Sequence, residues 1–247
     1  MPPPLTIDER LRIIKEIDIS RPRPRPRFIP RDNVPGAAVS DGSSISFVGN
    51  LTAQMQADVV NSTLFAQLAA NQSYNRQTQF LDWYEYYRDI LWNIGWDVHK
   101  FNLVSAKDPN SFGTVDNLVH QVAATYLSGQ ELALFQQMVD SLNAARNEAA
   151  ESLFSSSSIS FNKANFQIGV ASNVNGNATF KIGAYTYSAE QNITKVLFFT
   201  FGSQKIEFYS ENQTMVLNEK VYSGIREEIL EKLGNNAQDL VSGIDLI

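Results

Sequence analysis

The sequence predicts an α+β protein in which helices come first and strands follow. Apolar residues recur at helical spacing from Leu51 to about Leu153, and the period shortens to two after Ser155-Ser-Ser-Ser158. A helix capped by Asn218 then closes the pattern. Helices followed by a strand meander give a segregated fold with an antiparallel sheet, not the alternating order of a parallel one. The 247 residues, 43% apolar and 19% charged, suffice for one sizeable core without disulfides or metals.

Each element has a local cause. Thr6 with Glu9 forms a capping box, and Ile7, Leu11, Ile14 and Ile17 give a helix at about 7–18 its apolar stripe. In Arg21-Pro-Arg23-Pro-Arg25-Pro-Arg27 every proline fixes φ and pushes the preceding residue to extended geometry, so this arm reads as polyproline II-like. Residues 32–49 read as a loop, with Ile45, Phe47 and Val48 as a short strand or docking segment. A first long helix carries Ala53, Ala57, Val60, Leu64 and Leu68 on one stripe. The next, about 76–95, is aromatic: Phe80, Trp83, Tyr84 and Tyr87 band one face, and Asp82, Glu85 and Asp89 the other. A third runs from Thr114 to Leu127, and a fourth opens at the capping box Ser128-Gly-Gln-Glu131 and continues to about Leu153.

Phe166, Ile168 and Val170 alternate as in a half-buried strand, and Asn175-Gly176 signals a hairpin into Phe180, Ile182 and Ala184. Val196–Phe201 reads as a strand buried on both faces, followed by Ile206, Phe208 and a last strand near Met215–Leu217. The organisation is thus an N-terminal helix and arm, 1–44, and one α+β domain, 45–247. Its helices lie at about 51–153, its sheet at about 158–217, and its closing helix at about 218–234.

Several chemistries are disfavoured. Cysteine is absent, which removes disulfides, thiolate metal sites and thiol nucleophiles. His99 and His120 sit in no zinc-binding spacing, no Gly-x-Ser-x-Gly elbow marks a serine nucleophile, and no glycine-rich phosphate loop is present. Asp82, Glu85 and Asp89 share a helical face, but Arg88 stands beside them as an ion-pair partner, and a solvated face accounts for them. No catalytic residue, metal or cofactor is therefore expected. The six Asn-x-Ser/Thr sequons follow from abundant Asn, Ser and Thr. No signal peptide or membrane-spanning run is readable, so the expected location is cytoplasmic, or outside by a signal-independent route.

Charge gives the positive indication. Residues 1–49 hold eight Lys/Arg against six Asp/Glu, and the rest hold twelve against twenty. An acidic body would repel phosphates, so nucleic acid is disfavoured as a partner. A basic arm on such a body suits docking on acidic protein surface, with Arg21, Arg23, Arg25, Arg27 and Arg31 as the contact residues. The preceding helix needs a surface for its apolar stripe, and a stiff arm could carry it to a neighbouring subunit. The sequence thus predicts a non-enzymatic, self-associating or partner-binding protein. The alternative is a membrane-active toxin or effector, using a Ser/Asn-rich sheet and contact aromatics at Tyr86, Trp92 and Trp96. A carboxylate-dependent enzyme is a third reading.

Overall fold

A hairpin lies between the first helix and the helices that follow it, and joins the strands of the later meander. The computed structural model describes residues 4–19, 28–127, 129–234 and 240–247. Helix α1 spans Ile7–Glu16, and its capping box is formed as the sequence predicts. Strands β1 (Gly36–Ser40) and β2 (Ser43–Phe47) then turn at Asp41-Gly42. Next come helices α2 (Ala53–Ser73) and α3 (Phe80–Asn93), two short strands, β3 (Trp96–Asp97) and β4 (Val104–Ser105), and helix α4 (Val115–Ala123). Helices α5 (Gly129–Leu142) and α6 (Glu148–Ser158) lead through the two-residue β5 (Ile159–Ser160) into β6 (Lys163–Val174), β7 (Asn177–Ser188) and β8 (Glu207–Leu217). Helices α7 (Glu219–Tyr222) and α8 (Arg226–Leu233) and strand β9 (Val241–Ile244) complete the described chain.

The α+β class stands, and the sheet is mixed, not antiparallel throughout. Its order is β3-β8-β7-β6-β2-β1-β9, with β2 parallel to β6 and the meander β6-β7-β8 antiparallel. The Asn175-Gly176 turn closes the β6–β7 hairpin with both residues at positive φ, 51° and 85°, as that dipeptide favours. Helices cover both faces. On one, the Tyr84 hydroxyl of α3 donates to Asn165 Oδ1 at 2.9 Å, and Trp96 packs on Phe180. On the other, Phe154 of α6 meets Phe166 edge-on, and the hydroxyls of Tyr126 and Tyr185 lie 3.3 Å apart. Strands β6 and β7 are therefore buried almost end to end, not half-buried.

Four other local expectations are corrected, each for a tertiary reason. Residues 36–40, read as loop, form β1, because the Asp41-Gly42 turn folds them onto β2 and β9. Val196, Leu197 and Phe201 are buried, but the segment is a loop with one isolated bridge, between Thr200 and Thr114: its Leu197 and Phe199 carbonyls accept the Asp116 and Val115 amides at the start of α4, and the Phe201 amide donates to Gly113. The fourth helix breaks between α5 and α6, where buried Asn147 donates to Ser141 and Asp245 carbonyls and accepts the Asp245 amide. The closing helix breaks at Gly224, whose missing side chain leaves room for Ile7 of α1. Arg21–Arg27 and the Ser128 cap lie outside the described residues.

Helix α1 does not need a neighbouring subunit. Ile14 and Ile17 are buried against its own chain, and Arg10 donates to the Trp92 and Asn93 carbonyls at 3.1 and 2.6 Å. A guanidinium there satisfies the C-terminal carbonyls of α3 and opposes its dipole. At the other end, Arg226 holds Asp58 through two 2.8 Å bonds, joining α8 to α2.

Close strand packing yields one prediction. A Cβ on Gly169 would stand 2.5 Å from the Lys181 carbonyl oxygen and against the Phe180 ring. Gly169→Ala is expected to lower stability by about 1–3 kcal/mol, read from the midpoint of urea unfolding.

Candidate functional site

The Arg-Pro segment is held on both sides. Before it, Lys232 Nζ donates to the Lys15 and Ile17 carbonyls at 2.8 and 3.0 Å, so the end of α1 is fixed to α8. After it, the Phe28 ring stacks on Phe47 with centroids 5.3 Å apart. Buried Gln56 of α2 accepts the Arg31 amide at 3.3 Å and donates to the Arg31 carbonyl at 2.7 Å. Asp32 Oδ1 accepts the Ala53 amide at 2.7 Å, at the first turn of the same helix. Both flanks are thus part of the body, and no more than residues 20–27 separate Ile19 from Phe28.

Arg31 itself is exposed, and its guanidinium forms no hydrogen bond or ion pair with a described residue. It lines a groove of about 340 Å³ with Phe28, Ile29, Val34, Ile244 and Leu246, over the ends of β1 and β9. Ile29 is 68% exposed and Val34 44%, so large apolar side chains stand open at its rim. Asp245 is the acidic residue in the lining. A second hollow, about 800 Å³, shares Pro35 and runs between α5 and the exposed Ile247.

The aromatic residues divide. Trp96 is corrected from a contact residue to a core one: it is 1% exposed, and its Nε1 donates to Ser62 at 3.0 Å. Tyr86 is half-buried, edge-on to Tyr74. Trp92 is 41% exposed, with the Arg10 guanidinium 5.8 Å from its ring centre. The other rings of α3, Trp83, Tyr84 and Tyr87, are fully interior, and burial pushes both tyrosine hydroxyls well above their ordinary range. No described helix is long and apolar enough to cross a membrane.

The remaining candidates are not brought together. Asp82, Glu85 and Asp89 are exposed, with Arg88 bound to Asp89 and 3.9 Å from Glu85. His99 is exposed and His120 half-buried on α4. Among the described residues, no group of three or more His, Asp or Glu is placed to hold a metal ion.

The strongest buried electrostatics are structural, and sequence reading passed over them. Arg76 is 3% exposed; it binds Asp41 Oδ2 at 3.0 Å and Gln67 Oε1 at 2.7 Å, and stacks 4.3 Å over Trp83. Asn71 also donates to Asp41, and Asn165 donates to the Arg76 carbonyl. The Asp-Gly hairpin signal was the readable clue to this place, since Gly42 is where the guanidinium lies against the turn. Asp41→Asn tolerates the positive φ of 50° but strips the guanidinium of its counter-charge. A loss of about 3–5 kcal/mol in urea unfolding is expected.

Glu211 on β8 is the other unusual group: its Oε2 is buried with no hydrogen-bond partner among the described residues, and desolvation pushes the carboxyl up to about 7. The folded state then binds the proton more tightly than the unfolded one, so stability falls as pH rises through the ordinary carboxylate range towards 7. Thermal melts across that interval should show this decline in the wild-type chain and a flatter profile in Glu211→Gln.

The comparisons with known proteins add little. No family model matches the chain, and no curated protein matches it. Among solved structures it is similar to one titled "Structure of the Evf virulence factor", at 11% identity. That match covers 94% of this chain and 90% of the other, with a TM-score of 0.33, a likeness too slight to bear on fold or function. What the structure defines is an α+β protein with a mixed sheet between two helical layers.

Proposed function

We propose that this chain is a non-enzymatic binding protein that docks on acidic surface, of a second copy or of another protein, through Arg21, Arg23, Arg25, Arg27 and Arg31. The observation that carries the reading is the pinning of both flanks of a segment with four arginines on a chain of net charge −6. A free tail loses much conformational freedom on docking, whereas a short tethered segment with proline at every second position has less to lose. The acidic body adds long-range selection, attracting acidic partners to the segment alone. An anchored α1 also changes the geometry of self-association: contact between copies runs through the segment, with no exchange of the helix.

Removing residues 1–31 would strip α1 from its seat, so charge substitution is the cleaner test. The full chain and a variant with Arg21, Arg23, Arg25 and Arg27 changed to Gln are compared by light scattering behind size exclusion, and by binding to polyglutamate. Assembly or polyglutamate binding at about 50 mM salt is expected, weakened at about 500 mM and lost in the variant. A wild-type chain that stays at its 27.6 kDa monomer mass and ignores polyglutamate overturns the reading.

A further inference from the structure

Between β3 and β4 the chain forms a strap along the outer side of β8. The two short strands hold its ends: Trp96 and Asp97 pair with Leu217 and Val216, and Val104 and Ser105 with Ser210 and Tyr209. Residues 98–103 span the gap without strand pairing, beside the stretch of β8 that carries Glu211 and Gln213. Two contacts fasten the span. The His99 amide donates to Gln213 Oε1 at 2.9 Å, and buried Phe101 packs on Tyr84 and Tyr87 with ring centres 5.0 and 6.2 Å away. His99, Lys100 and Asn102 are exposed, so few buried groups hold the strap down, which is the condition for local opening.

Strand alternation puts Glu211 on the same face as Tyr209 and Gln213, of which the first meets Phe80 of α3 and the second holds the strap. Its Oε2 is buried with no hydrogen-bond partner, and no cation forms an ion pair with it among the described residues. On β7 it stands opposite Ala184, flanked on that face by Ile182 and Thr186. Helix α3 brings the hydroxyls of Tyr84 and Tyr87, the first committed to Asn165, while Arg88 is taken by Asp89 and Glu85. On β8 itself Tyr209 is next, and Glu207 beyond it is paired with Lys205. The strap contributes His99 and Lys100, both exposed. A carboxyl so placed is stable when protonated; once charged it needs water, and the strap is its most weakly held cover.

The geometry points to a pH-gated strap: residues 98–103 close over Glu211 while its carboxyl is protonated and open when the carboxylate forms, uncovering Phe101 and the Tyr84–Tyr87 face of α3. Burial raises this carboxyl to about 7, so the closed state holds its proton where an open strap releases it. The opening equilibrium then grows about tenfold per pH unit from about pH 5 to about pH 7 and levels off above. Nothing in this device depends on the basic segment.

Hydrogen exchange of the full chain, corrected for the intrinsic rate at each pH, reads the opening directly. Protection of peptides covering 97–106 is expected to fall about a hundredfold from about pH 5 to about pH 7. It should stay below that of the β6–β7 ladder, 164–186, at every pH, because the ladder opens only with the whole fold. In Glu211→Gln the fall should disappear. Phe101→Leu loosens the strap without touching the carboxyl, so protection of 97–106 should drop at every pH with the slope kept; this variant carries the test if Glu211→Gln melts early. His99→Gln, which removes the strap's own imidazole, should leave the slope as it is. Strap protection that ignores pH, or that equals the ladder's and moves with it, overturns the proposal. So does a pH dependence that vanishes in His99→Gln or Phe101→Leu, or that survives in a folded Glu211→Gln.

Discussion

The central constraint is that β6 and β7 bury both faces. A sheet covered on one side could rest on a single helical layer, and its outer face would carry polar alternation. Here Phe154 and Tyr126 approach from one side and Tyr84 and Trp96 from the other, so the helices must be shared between two layers. That division explains the chain order. Helices α2 and α3 cover one face, the chain crosses, and α4, α5 and α6 cover the second before the meander is laid between them. It also fixes register: slipping a strand by one residue would exchange side chains between two packed layers, with no solvent face to take them. The Ser, Asn and Gly content that suggests a loosely specified sheet is instead a close-packing device, most clearly at Gly169 and Gly183.

Buried polar groups fix the places where layers meet. Arg76 ties the β1–β2 turn to α2 and α3 through Asp41, Gln67 and Trp83, and its carbonyl reaches β6 through Asn165. Arg226 does the same between α8 and α2, and Arg10 between α1 and α3. In each case a planar guanidinium with several donors satisfies groups from separate elements, which a lysine could not do with the same geometry. The same elements hold the flanks of the Arg-Pro segment: α8 takes the end of α1, and α2 takes Arg31. Anchoring of the residues that flank the Arg-Pro segment is therefore a by-product of how the core is welded.

Legibility in the sequence follows the range of the interaction. The Thr6–Glu9 box, the Asn175-Gly176 turn and the aromatic band of α3 are set within a few residues and are read correctly, whereas α2, read as carrying one apolar stripe, is buried well beyond it, with Gln56, Asp58, Ser62, Thr63 and Gln67 inside. Asp41-Gly42 is as local a signal, and was obscured because the strands it joins are only five residues each. The loop at Val196–Phe201 has the composition of a buried strand; composition reports burial, and only the α4 amides above it decide which partners its carbonyls take. Trp92 and Trp96 are four residues apart on the same aromatic stretch, yet one stays at the rim and the other enters the core, because Gly95 turns the chain between them at φ 105°. For the candidate site, the arginines are visible in the sequence and the groove is not, since its walls come from residues 28–37 and 243–246.

By itself the sequence determined the class of fold, the caps and turns, and a segment of concentrated positive charge on an acidic chain. These depend on backbone dihedrals, hydrophobic period and formal charge, all properties of neighbouring residues. Tertiary structure alone decided that β2 runs parallel to β6 across more than a hundred residues, that β9 closes the sheet, and that α1 packs on its own body. It also decided that both flanks of the basic segment pack on the body, with Phe28 lining an apolar groove. Such pairings are selected by the total area buried among distant elements, and no local pattern records which distant surface will be free.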